Sequence, residues 1–152
     1  MLPLVVEFAP RCPGISFEFD LTPRRIDLVT KPFDVAIRTG VPPNSSLVAR
    51  QLAEIPQALY ASPRYLERAG EPRQPADLAQ HECLRFHGLK ADTPTLHRGG
   101  ESTEITVMGR FRVNSMGMLE RLARHEQGVA VLAGPLVAEA VAAGQLQRVL
   151  PQ

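Results

Sequence analysis

Two places in this 152-residue sequence set residues able to grip an anion just past the end of an apolar, strand-like run. The first is Arg38-Thr39-Gly40, which closes FDVAIRTG. The Arg38 guanidinium could offer a bidentate fork to a carboxylate, and Thr39 a hydroxyl. A solvent-facing Arg and a turn Thr is the plainer reading of the same residues. The second is Asn114-Ser115-Met116, where a strand gives way to a helix. Asn and Ser are helix-capping residues. Such a junction also presents backbone N–H groups and the positive end of the helix dipole. Capping and anion binding are therefore compatible at Asn114 and Ser115, while Met116 could simply pack. Ligands of open α/β sheets lie at the carboxyl ends of strands, close to helix N-termini.

Other chemistries find less support. His81, Cys83 and His87 share one face of a continuous strand, with His81 and Cys83 nearest neighbours. Zinc needs three or four tetrahedral ligands, and no second cluster supplies the rest. Cys is also among the most often buried residue types. The sequence has no G-x-S-x-G elbow, no H-E-x-x-H pair and no G-x-x-x-x-G-K-[ST] loop. Ser45, Ser46 and Ser62 have no evident base beside them, although a triad can assemble from distant positions. The expectation is a binding protein with no metal and no cofactor, not an enzyme.

The elements that must hold these residues are short. Fourteen prolines and eleven glycines punctuate the chain. ISFEFDL (15–21) alternates with period 2, a strand with one buried face. Ile26, Leu28 and Val29 suit a helical turn or two before Pro32. FDVAIRTG (33–40) suits a strand buried on both faces, and VPPNSS (41–46) a loop. Residues 47–62 read as two strands on either side of Pro56. Residues 62–70 read as a helix, with Ser62 as N-cap, Pro63 at the first position and Gly70 after the last turn.

PADLAQ (75–80) reads as a short helix and HECLRF (81–86) as a strand. PTLHR suits an edge strand and Gly99-Gly100 a turn. TEITVMGRFRVNS (103–115) is strand-like, with Ile105 and Val107 on one face. Helices follow at 116–127 and 135–143, and strands at 128–133 and 145–150. Residues 110–150 thus read β-α-β-α-β, which predicts a parallel sheet with right-handed connections.

Composition narrows the class of partner. The chain carries 17 Lys+Arg against 16 Asp+Glu, a formal charge of +1, with two Tyr and no Trp. Neither a basic stripe for duplex DNA nor an aromatic platform for single strands is supplied. Two cysteines, Cys12 and Cys83, make no disulfide framework and read as free thiols of a reducing compartment. The apolar start MLPLVVEFAP is interrupted by Glu7 and lacks a basic flank, so it reads as neither a signal peptide nor a membrane span. A cytoplasmic location is expected.

The strings FDVAIRTG (33–40), SSLVARQLAEIPQALYASPRYLERAGEPRQPADLAQHECLRF (45–86) and GRFRVNSMGMLERLARHEQGVAVLAGPLVAEAVAAGQLQRVLP (109–151) resemble the effector-binding domain of LysR-type transcriptional regulators. Their order and spacing match that family over nearly the whole chain. The resemblance implies an α/β fold like that of type 2 periplasmic binding proteins: two lobes, each with a mixed sheet flanked by helices. A small, anionic effector would sit in the cleft between them. Asn114 and Ser115 would line that cleft, and Phe86 and His87, ending the strand after the hinge, could face it too. A core Phe and a surface His remain the plainer reading.

Against the family pattern, residues 63–152 look like a complete lobe two and residues 1–62 like a partial lobe one. No helix-turn-helix is expected in this chain, so no direct contact with nucleic acid, and no membrane contact. Leu2, Leu4, Val5, Phe8, Phe17, Phe19, Val35 and Ile37 would have too few apolar neighbours. That predicts marginal stability, or self-association through exposed strand edges. The alternatives are a dimerisation module acting on a full-length regulator of the same kind, a periplasmic solute-binding protein, or a non-functional gene fragment.

Overall fold

The computed structural model of the chain describes residues 2–21, 33–37, 48–87, 95–98 and 101–150. The helical turn expected around Ile26–Val29, the loop at 41–46, the Gly99-Gly100 turn, the Leu2 side chain and the pair Arg38 and Thr39 lie outside the described residues. The chain divides into two compact units, residues 1–37 and 38–152.

The first unit opens with helix α1 (Leu2–Phe8), continued by a 3-10 turn at Ala9–Arg11. Pro10 falls at the start of that turn, where its missing N–H costs nothing. The strands expected at 15–21 and 33–37 do not form: both segments are irregular and exposed. A strand-like segment becomes a strand only when a neighbour completes its ladder, and no described strand lies beside these two. The shared face is nonetheless real. Phe17 and Phe19 stack at 6.2 Å, and Phe8 meets Phe17 edge-on at 6.1 Å. Leu4, Phe8, Phe17, Phe19, Val35 and Ile37 are all exposed, as the shortage of partners predicts, while Val5 is half-buried.

The second unit is built on a five-stranded sheet in the order β5-β2-β6-β1-β7. Its strands are β1 (Gln57–Ala61), β2 (Cys83–Phe86), β5 (Arg112–Val113), β6 (Val129–Ala133) and β7 (Gln147–Val149). A separate hairpin pairs β3 (Thr95–Arg98) with β4 (Glu101–Glu104), with Leu96 opposite Thr103. Of the two strands expected around Pro56, only β1 forms, and residues 48–56 are irregular and exposed. The sheet therefore takes in residues that precede Pro63.

The sheet is mixed, as the resemblance implies, and the strands of residues 110–150 run parallel to one another as their order predicts, although none of them pairs directly with another. β2 runs parallel to both β5 and β6, but β1 lies antiparallel between β6 and β7. The β-α-β-α-β order fixes the common direction of β5, β6 and β7. It cannot foresee that β2 and β1, from earlier in the chain, slip between them.

Helix α2 (Pro63–Ala69) starts and stops on the expected residues. Ser62 Oγ accepts from Tyr65 N at 3.2 Å, Pro63 occupies the first turn, and Gly70 follows with φ +85°. Residues 75–80 form a 3-10 helix, closed by a capping box between Gln74 and Asp77. Helix α3 (Met116–Arg124) buries Leu119 and Ala123. Helix α4 (Gly134–Ala142) buries Val137 and Ala140. Two apolar clusters result. One gathers Leu59, Ala61, Tyr65, Leu66, Leu78, Ile105, Val107 and Val149. The other gathers Leu84, Leu119, Ala130, Leu132, Val137 and Leu146 around α3 and α4.

Two glycines allow close backbone approach to β2. A Cβ on Gly109 would collide with the carbonyl oxygen of Cys83, and one on Gly128 with that of Glu82. The N–H groups of Cys83, Arg85 and His87 reach the carbonyls of Met108, Phe111 and Val113. The uneven spacing on the second side absorbs one extra residue around Gly109-Arg110, as a bulge does.

Candidate functional site

The parallel pairing of β2 and β5 assembles the candidate site. Phe86 lies opposite Val113 in register, and His87 N donates to Val113 O at 2.6 Å. The carboxyl ends of the two strands therefore finish side by side, and the chain leaves β5 through Asn114 and Ser115 into α3. Phe86, Asn114, Ser115 and Met116 come together at this corner. Phe86 and Met116 are half-buried and pack on the same apolar cluster. Asn114 and Ser115 are exposed.

Ser115 is the N-cap of α3. Its backbone is extended (φ −122°, ψ 122°), and its Oγ accepts from Met118 N at 3.3 Å. Its carbonyl accepts from Leu119 N at 3.0 Å. The first amides of a helix have no intrahelical acceptor, so those of Met116 and Gly117 face out of the helix end beside the half-buried Met116 side chain. Among the described residues, Ser115 Oγ, at 3.9 Å, is the one side-chain atom near the space where a Gly117 side chain would stand. The corner can thus offer amides and a dipole to an anion, with Phe86 and Met116 as an apolar wall.

Sequence reasoning missed one neighbour of this corner. β6 runs parallel to β2, so its carboxyl end, Ala133-Gly134, opens onto the same edge of the sheet and starts α4. No side chain caps that helix, and Gly134 N donates to Pro56 O at 3.2 Å. Pro135 at the helix start was the available signal, but without a polar N-cap residue it reads only as punctuation.

The three residues weighed for metal do not converge. His81 Nδ1 lies 3.2 Å from Tyr65 Oη, and the Cys83 thiol donates to Leu78 O at 3.6 Å. His87 is exposed at the far end of β2. Burial pushes the Cys83 thiol up to about 11. Among the described residues no three His, Cys, Asp or Glu side chains gather to hold a metal ion. Within the first unit, Leu4, Val5, Phe8, Phe17 and Ile37, with Glu7 and Arg11, line an open apolar hollow of about 430 Å³. Among the described residues, none of the expected site residues belongs to it.

Comparison with known proteins agrees with this architecture. The family model described as the LysR substrate binding domain matches residues 1–152. The chain belongs to the LysR substrate-binding domain family. The HTH-type transcriptional regulator YhjC of Escherichia coli K12 is 36% identical over 160 residues, covering 99% of this chain and 52% of its own. The full-length virulence activator AphB of Vibrio cholerae superposes with a TM-score of 0.86 at 28% identity, over 99% of this chain and 51% of that one. CrgA of Neisseria meningitidis, a LysR-type regulator, gives a TM-score of 0.85 at 28% identity, again over 99% and 51%.

The chain therefore spans about half the length of these relatives and corresponds to the regulatory, effector-binding part of LysR-type regulators. Its fold is that of the LysR regulatory domains, α/β and periplasmic-binding-protein-like. Among the described residues no helix is long and apolar enough to cross a membrane.

Proposed function

We propose that this chain senses a small anionic metabolite for a LysR-type regulator, and that the metabolite binds where β2 and β5 end against α3. The observation that carries this reading is the register that sets Phe86 beside Val113, and so beside the N-terminus of α3. Asn114, Ser115 and Met116 supply polar and apolar contacts there, and Arg38 and Thr39 would add a cation and a hydroxyl from the first lobe. On this reading residues 63–152 with β1 form lobe two, and the residues before β1 contribute to lobe one. Effector binding would shift the population toward the closed arrangement of the lobes, by its greater affinity for that state. The role is regulatory rather than catalytic. It is exercised in the cytoplasm, where the DNA lies, with any contact to DNA left to another domain.

The test is differential scanning fluorimetry of the chain against a panel of aliphatic and aromatic carboxylates. A ligand at 100 times its Kd stabilises by about 2.7 kcal/mol, which a melting curve resolves. At least one carboxylate should raise the midpoint of the wild type, and Gly117→Asp should abolish the rise. An introduced carboxylate there suits the helix dipole but repels an anion. A panel without effect contradicts the reading.

A second reading rests on the exposed Leu4, Phe8, Phe17, Phe19, Val35 and Ile37. A contiguous apolar surface favours association, so the chain would pair with a copy of itself or with a full-length regulator of the same family. Sedimentation velocity should show concentration-dependent association, and a monomer at every concentration rejects this reading.

A further inference from the structure

At the opposite end of β2 two buried groups with exchangeable hydrogens face each other, and effector binding uses neither. Tyr65, on α2, is 4% exposed, and His81, just before β2, is 9% exposed. Tyr65 Oη lies 3.2 Å from His81 Nδ1, and the Glu82 N–H donates to the same phenol oxygen at 3.0 Å. The phenol carries one hydrogen and can accept through its lone pairs. With the His81 imidazole neutral, as burial favours, and Nδ1 its acceptor nitrogen, the phenol donates to Nδ1 while its oxygen accepts from Glu82 N–H. The imidazole that satisfies this arrangement is neutral, with its own hydrogen on Nε2.

A second proton on the ring breaks the pattern. Nδ1 would become a donor, and the phenol hydrogen that it accepted would have to turn away from it to another acceptor. A buried polar group without a partner costs about 1–3 kcal/mol. The charged neighbours leave this logic intact. Asp77, on the 3-10 helix, favours the imidazolium, but its carboxylate already accepts from Arg73 N, Gln74 N and Gln74 Nε2. The Arg68 guanidinium lies 5.8 Å over the Tyr65 ring and is paired with Glu126 at 3.3 Å. Glu82 pairs with Arg110 at 3.5 Å, and the Cys83 thiol stays neutral.

We propose that Tyr65 and His81 form a proton-operated latch that holds α2 against the start of β2 and opens when His81 is protonated. Opening removes the acceptor of the Glu82 N–H. Glu82 in turn accepts from Val129 N at the start of β6, at 2.8 Å. The latch therefore acts on the strand that carries Phe86 at its other end. Burial already holds the His81 imidazole below its ordinary 6.5. A folded value below the unfolded one means the stabilisation is present above about pH 6.5 and is lost as pH falls through the folded value.

The experiment is an NMR titration of the 152-residue chain between pH 8 and 4.5. It follows the His81 Cε1–H resonance and the hydrogen-exchange protection of the Glu82 amide. The His81 midpoint should lie below 6.5, and Tyr65→Phe, which removes the hydrogen donated to Nδ1, should move it upward. Glu82 protection should fall about tenfold or more across the same titration, without a matching fall at Leu132 in the sheet centre. In His81→Gln that fall should vanish. A wild-type midpoint at or above 6.5, a midpoint indifferent to Tyr65→Phe, or Glu82 protection that ignores the titration would each overturn the latch. The wild-type titration decides even if a variant does not fold, and no effector is needed.

Discussion

Replacing Gly128 with alanine puts the packing of β2 against β6 to a quantitative test. Gly128 has φ +149°, a conformation that residues with a Cβ rarely adopt. Its missing Cβ faces backbone: beyond the collision with the Glu82 carbonyl oxygen, it would come within 3.0 Å of that carbonyl's carbon and 3.2 Å of Glu82 Cβ. Backbone cannot yield as the end of a flexible side chain can. The Glu82 carbonyl must therefore swing away, breaking its 2.8 Å hydrogen bond from Val129 N at the first rung of the β2–β6 ladder. Strain at such a φ costs about 1–3 kcal/mol, and a buried N–H left unpaired about 1–3 kcal/mol more.

A loss of about 2–6 kcal/mol follows, against a total stability of roughly 5–15 kcal/mol for a domain. Urea unfolding followed by circular dichroism measures it. Gly117→Ala is the control: among the described residues its Cβ meets only Ser115 Oγ, at 3.9 Å, and alanine in a helix gains about 0.5–1 kcal/mol over glycine. A Gly128→Ala protein within about 0.5 kcal/mol of wild type would refute the reasoning, because β6 would then not be held by that contact.

The same structure carries further expectations. Ser62→Ala removes the acceptor for Tyr65 N at the start of α2 and should cost about 1 kcal/mol in the same unfolding assay. Leu132→Ala empties a fully buried position in the centre of the sheet and should cost about 2–5 kcal/mol. Cys83 is buried and its thiol is pushed up to about 11. Alkylation at pH 8, read by mass spectrometry, should therefore modify the half-buried Cys12 in the native chain and Cys83 only after unfolding.

Local punctuation was the legible part of this sequence. Ser62-Pro63 and Gly70 mark the ends of α2, and Asn114-Ser115 mark the start of α3, because capping is decided within a few residues. Burial of Ile105 and Val107 followed from their spacing, although β4 ends before them at Glu104. The common direction of β5, β6 and β7 was legible too. The insertion of β1 and β2 between them was not, since it depends on pairings between residues far apart in the chain.

The segments 15–21 and 33–37 show the limit from the other side: the first alternates and the second belongs to an apolar run, both strand-like, yet no described strand pairs with them. The site divides in the same way. Ser115 was found through its cap, whereas Ala133-Gly134 became visible only through strand order. Nothing in HECLRF announces that His81 will meet a tyrosine sixteen residues upstream.

The account's central claim is that an anion settles on the N-terminus of α3, at the carboxyl ends of β2 and β5. The direct measurement is a ¹H–¹⁵N titration of the chain with the carboxylate that most stabilises it. Saturable shifts should concentrate on the amides of Ser115, Met116, Gly117 and Met118, with smaller ones at Phe86 and His87, and should be lost in Gly117→Asp. Shifts that cluster elsewhere, or that persist unchanged in Gly117→Asp, would contradict it.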